Sequence, residues 1–161
     1  MTMRTSIILF FFLVGHTSLG QISNPTKKQV FKILKASIKQ DSKSKVSTNS
    51  NPWVICNDDS SYFKSDTLKL FPHLNDYPNC RCYCYIDWTF YKKDAFVLTR
   101  EYIDEPRRVS VTNADNWYVI KLSKVNNDLV LKTYNQGKLV DQFNVVSIDN
   151  TIVLKRLKID Q

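Results

Sequence analysis

The sequence predicts an all-β fold: an antiparallel up-and-down β-barrel of about eight strands, preceded by one amphipathic helix. Three observations predict it. From residue 52 onward apolar and polar residues alternate with a period of two. Turn-forming residues interrupt that alternation about every ten positions. The chain is rich in Val, Ile, Tyr, Phe and Thr, which suit a pleated, half-buried surface, and holds only three glycines.

The chain opens with Arg4, an unbroken apolar run over 7–14, and small residues at Ser18 and Gly20. That order is the grammar of a secretory signal cut between Gly20 and Gln21. The run is shorter than the roughly 20 residues a membrane span needs. Removal of residues 1–20 is therefore expected, giving a secreted or periplasmic protein.

Residues 21–51 form a basic helix and a polar linker. Pro25 suits a first helical position and Asn24 an N-cap. Val30, Phe31, Leu34 and Ile38 then share one face, which predicts a helix over 25–39. Its apolar stripe has three expected uses: capping the barrel, lying on an anionic membrane surface, or docking on a partner protein. The stretch 40–51, rich in Ser, Lys and Asn, reads as a linker.

Residues 52–161 carry the barrel. Trp53–Cys56 and Thr67–Phe71 supply its first strands. Cys84, Ile86, Trp88 and Phe90 point one way, and Phe96, Leu98, Arg100 and Tyr102 form the next alternating set. Tyr118, Ile120 and Leu122, then Leu129, Leu131 and Thr133, continue the pattern, followed by 139–146 and 151–157. Turns are expected at Lys92-Lys93-Asp94, Asn126-Asn127-Asp128, Asn135-Gln136-Gly137 and Asp149-Asn150. Eight strands is the size at which a barrel either fills with its own side chains or holds one small ligand.

The net charge of +8 does not spread over this domain. Seven lysines and one acid lie between Gln21 and Lys45, whereas the rest of the mature chain is nearly neutral. A basic arm without a basic groove argues against nucleic acid as a partner. Nothing in the pattern asks for a second copy, and a monomer is expected.

The stretch Trp53-Val54-Ile55-Cys56-Asn57-Asp58-Asp59, with Phe63, Ser65-Asp66-Thr67, Cys80, Trp88-Thr89-Phe90, Tyr118-Val119-Ile120 and Leu129-Val130-Leu131, resembles the small exported bacterial lipocalin-like domains. It departs from their pattern in lacking a glycine between Asp66 and Thr67 and a Gly-x-Trp first strand. The resemblance implies a calycin-type barrel without catalytic activity that binds a small hydrophobic molecule. It also implies pairing of Cys56 with Cys80.

All four cysteines, Cys56, Cys80, Cys82 and Cys84, follow the signal, so disulfides are their expected fate. Read from the residues alone, all three pairings stay open, because cysteines two apart in one strand share a face near the upper limit for bridging. A Cys₃His metal set with His73 would need a single-residue spacing unusual for zinc. No metal or cofactor is expected.

Catalysis has little to rest on. His73 is the one histidine after the signal, and it sits in a loop-like sequence. The acid pairs Asp58-Asp59 and Asp104-Glu105 would face opposite sides of a strand, so turn acids are the expected reading. The better candidate for function is an apolar pocket lined by Trp88, Phe90, Phe96, Tyr102, Tyr118, Ile120, Leu129 and Leu131, with Arg100 anchoring a ligand carboxylate. The competing expectation is that these side chains fill the core and the protein is a structural or interaction module of the cell envelope.

Overall fold

Alternating side chains commit this sequence to strands, and short polar turns commit successive strands to antiparallel neighbours. The computed structural model describes residues 22–38, 51–72, 82–104, 107–111 and 114–159. The expected signal, most of the linker, His73, Cys80 and Glu105 lie outside the described residues.

The strands are β1 (Ile22–Ser23), β2 (Trp53–Cys56), β3 (Thr67–Leu70), β4 (Cys84–Lys92), β5 (Ala95–Asp104), β6 (Arg107–Val111), β7 (Trp117–Val125), β8 (Asp128–Asn135), β9 (Lys138–Ile148) and β10 (Ile152–Arg156). The α-helices among the described residues are α1 (Lys27–Ala36) and the single turn α2 (Ser61–Lys64), and a 3-10 turn at Ala114–Asn116 leads into β7. Eight strands run in the order β2-β4-β5-β7-β8-β9-β10-β3, with β1 paired to β9 and β6 to β5. The ring is closed by Val54 and Phe71, which exchange backbone hydrogen bonds of 2.6 and 2.9 Å. The expected barrel is therefore present. Its meander runs from β4 onward, while β2 and β3 enter the ring in exchanged order.

The hairpins follow from turn chemistry. Asn126 and Asn127 (φ 49° and 71°) link β7 to β8, and Gln136 and Gly137 (φ 49° and 80°) link β8 to β9. Two successive left-handed residues match the right-handed twist of the flanking strands, and Asn and Gly adopt that backbone at least cost.

Inside, the alternation reads out as a core. Trp88, Phe90, Phe96, Ile120, Leu129, Leu131, Phe143 and Leu154 pack into one buried cluster. Phe96 stacks between Trp88 and Tyr118, with centroids 4.4 and 5.3 Å away and rings 17° and 15° from parallel.

The helix α1 adds Val30 and Leu34 to that same cluster, with Phe31, Ile33 and Ile38 against it. Asn51 donates its backbone N–H to the Ser37 carbonyl at 2.9 Å, setting α1 at the barrel end where β2 begins. Of the three expected uses for the stripe, capping is the one seen. The helix starts later than expected, and its N-cap is Thr26, not Asn24. Thr26 and Gln29 form a reciprocal capping box, while Asn24 takes a left-handed conformation (φ 57°). Among the described residues no helix is long and apolar enough to cross a membrane.

Because Phe96 is fully buried between two stacked rings, Phe96→Ala should lower stability by about 3–5 kcal/mol. Urea unfolding should show this as a lower midpoint at unchanged slope.

Candidate functional site

The second barrel end is shaped by the loop between β2 and β3. Asn57 accepts the Tyr62 N–H at 3.1 Å through its side-chain oxygen, and Ser61 Oγ donates to the Cys56 carbonyl at 2.7 Å. These bonds fold the loop over the barrel and bury Tyr62. The Trp88 indole N–H then donates to the Tyr62 hydroxyl at 3.1 Å. Burial, with the Asp141 charge adding to it, holds the Tyr62 phenol well above the usual tyrosine range.

Asp58 organises the entry to β4. Its carboxylate accepts the Tyr83 N–H at 2.9 Å and the Cys84 N–H at 2.6 Å. A bend at Tyr83 places Cys82 and Cys84 on opposite sides of the sheet. Cys82 packs outside with Val54 and Tyr85, where it bonds to Cys56 across a Cα separation of 5.8 Å. The pairing implied by the family resemblance, Cys56 with Cys80, is therefore corrected to Cys56–Cys82. Cys82 lies just ahead of the strand, where Asp58 turns it toward Cys56, so the rule for two cysteines in one extended strand does not apply. Cys84 is buried on the inner side and forms no disulfide.

The donor atoms of Cys56, Asp58 and Cys82 lie within 4.8 Å of one another. With the two sulfurs bonded to each other, neither is a thiolate able to ligate an ion. The 2.9 Å approach of the Cys82 sulfur to the Cys84 carbonyl is likewise a contact without a proton.

The proposed pocket residues divide into two groups. Trp88, Phe90, Phe96, Ile120, Leu129 and Leu131 are buried against one another, and Tyr118 stacks on Phe96. They make core. Arg100 and Tyr102 continue the inner face of β5, paired across the strand with Ile86 and Cys84, but emerge at the rim. There they line a mouth pocket of about 290 Å³ with Asn57, Asp58, Ser60, Tyr83 and Cys84. The Arg100 guanidinium lies 5.8 Å from the Phe63 ring centroid and donates to the Tyr102 hydroxyl at 3.4 Å. No carboxylate among the described residues pairs with it. Tyr83 and Tyr102 form a tilted wall with centroids 6.0 Å apart. Phe63 and Tyr83 are 52% and 53% exposed, so the mouth presents the Arg100 guanidinium beside uncovered rings.

A second polar group lies inside the barrel. Arg156 pairs with Asp141, donates to the Tyr62 carbonyl at 2.7 Å, and sits 4.9 and 5.9 Å from the Phe143 and Tyr62 centroids. Burial raises the Asp141 carboxyl, against the lowering pull of Arg156. The sequence reading gave neither residue a role. The available signal was opposite charge at positions whose alternation, shared with Phe143 and Leu154, faces inward.

Comparison with known protein families, curated proteins and solved structures finds no match to this chain.

Removing the disulfide with Cys56→Ala and Cys82→Ala should cost about 2–4 kcal/mol for a crosslink of this span. In the native wild type, intact mass after alkylation should show Cys84 protected, and denaturation should expose it.

The Asp141 proton sets a pH dependence. Its folded-state value is raised above the ordinary 3.8, so the folded protein holds the proton more tightly than the unfolded chain. This contribution to stability is complete below pH 3.8 and is lost as pH rises through the raised value. Thermal unfolding across that acid range should therefore show the stability of wild type falling relative to Asp141→Asn, with the difference flat at higher pH.

Proposed function

We propose that this chain is a non-catalytic, exported, lipocalin-like binding protein, and that it holds a small hydrophobic molecule bearing an acid group at the barrel mouth. The observation that carries this reading is Arg100, a guanidinium without a carboxylate partner among the described residues, aimed along a pocket walled by Tyr83 and Tyr102. A guanidinium binds a carboxylate or sulfonate through parallel hydrogen bonds, and exposed rings supply apolar contact to the ligand body.

The interior offers such a molecule little, since Trp88, Phe90 and Phe96 already occupy it. The mouth suits a compact, partly planar anion better than a long chain buried in the barrel. Asp58 opposes an anion less than a free carboxylate would, because two backbone N–H groups already share its charge. A leader over residues 1–20 and the Cys56–Cys82 bond both favour an oxidising compartment outside the cytosol.

The probe is 1-anilinonaphthalene-8-sulfonate, a ring-bearing anion, titrated into the folded protein and followed by fluorescence. Saturable binding at one site is expected, with Arg100→Gln weakening it about tenfold, equivalent to roughly 1.4 kcal/mol. Tyr102→Ala should weaken it further. Absence of saturable binding, or binding indifferent to Arg100, would overturn the reading in favour of a filled-core interaction module.

A further inference from the structure

We propose that the outer face of β7, β8 and β9 docks on the anionic headgroup surface of a lipid bilayer. Three features meet on that face. The first is an exposed tryptophan. Of the three tryptophans in the chain, Trp53 and Trp88 are 3% and 1% exposed, whereas Trp117 is 50% exposed. Its ring meets Tyr91 edge-on at 5.0 Å.

The second feature is apolar continuity. Val119, on the same side as Trp117, pairs across the strand with Tyr134, and Tyr134 in turn with Leu139. Val140 stands exposed beside them at the irregularity between β8 and β9. These positions adjoin across three strands, which separates them from scattered surface valines.

The third feature is uncompensated charge. Lys121 and Lys132 face each other directly across β7 and β8. Like charges in that position destabilise a sheet. Gln142 lies beside Lys132 on β9, and the Lys121 ammonium rests 4.7 Å from the Tyr134 centroid. No carboxylate pairs with either lysine among the described residues. A face that keeps two opposed cations next to exposed aromatic and aliphatic groups is suited to anionic headgroups, where lysines gain charge attraction and Trp and Tyr settle at the interface.

The same features disfavour other occupants. A second copy joined face to face would bring four lysines together. Trp117 and Tyr91 meet at 67° and form no flat platform for sugar rings or bases. Val119 and Val140 offer a polysaccharide no hydrogen bonds.

The test uses residues 21–161, which contain every described element, with vesicles of phosphatidylcholine alone or mixed with phosphatidylglycerol. Sedimentation should show binding to the mixed vesicles only, weakening as salt is raised. Trp117 emission should shift to the blue and be quenched by brominated lipid, while the buried Trp53 and Trp88 stay dark to the quencher. Lys121→Glu with Lys132→Glu should weaken binding about tenfold or more. Lys121→Gln with Lys132→Gln should weaken it too, and since it relieves a repulsive pair it also guards against a misfolded variant. Lys28→Glu with Lys32→Glu on α1 should leave binding within about twofold. Equal binding to neutral vesicles would overturn the proposal. So would binding that leaves Trp117 unquenched, or binding lost in the α1 variant and kept in the β7–β8 variants.

Discussion

Trp88, Phe96 and Tyr118 lie one on another across the barrel, and this stack sets what the rest of the molecule can do. A ring of eight strands encloses little volume. Once three aromatic side chains from β4, β5 and β7 share it, with Phe90 and Phe143 beside them, the interior is committed to holding the sheet together. Anything the protein recognises must then meet it at an end or on a wall.

The two ends are closed by different means. At one, α1 lowers Val30 and Leu34 onto the core, so closure there is apolar. At the other, closure is polar: Arg156 reaches from the last strand to the carbonyl of Tyr62, and the Trp88 indole reaches the Tyr62 hydroxyl. The Cys56–Cys82 bond fixes the outer side of the same end, joining β2 to the approach of β4. The mouth residues thus stand on a frame held from inside by hydrogen bonds and from outside by sulfur. Such support suits recognition by preorganised groups, because little ordering remains to be done on binding.

Much of the frame was legible in the sequence because strand periodicity is a local property. The inward set from Cys84 to Phe90 and from Phe96 to Tyr102 was assigned to the correct face, and the Asn-Asn and Gln-Gly turns fell where expected. What alternation cannot say is how far along a strand the interior ends. Arg100 and Tyr102 share a face with Phe96 yet lie beyond the packed region, so one predicted pocket became a core and a rim. The disulfide was illegible for a related reason. Which side Cys82 takes depends on Asp58, distant in sequence, accepting hydrogen bonds from the Tyr83 and Cys84 amides. Asp141 and Arg156 had the right parity, but charge at an inward position reads as a surface residue until its partner across the strand is known.

The exchanged order of the first strands bears on how the molecule comes to exist. β3 finds its hydrogen-bonding neighbour in β10, and β1 in β9, so early strands wait for partners made much later. Pairings of such long sequence separation are slow to form, because loop entropy is lost before any contact repays it. Until β10 is made, β3 lacks its partner and the ring keeps a gap beside β9, whereas the hairpins β4–β5, β7–β8 and β8–β9 need only their own turns. The seam between the first strands and the last is therefore where an unfinished molecule offers bare backbone to a neighbour.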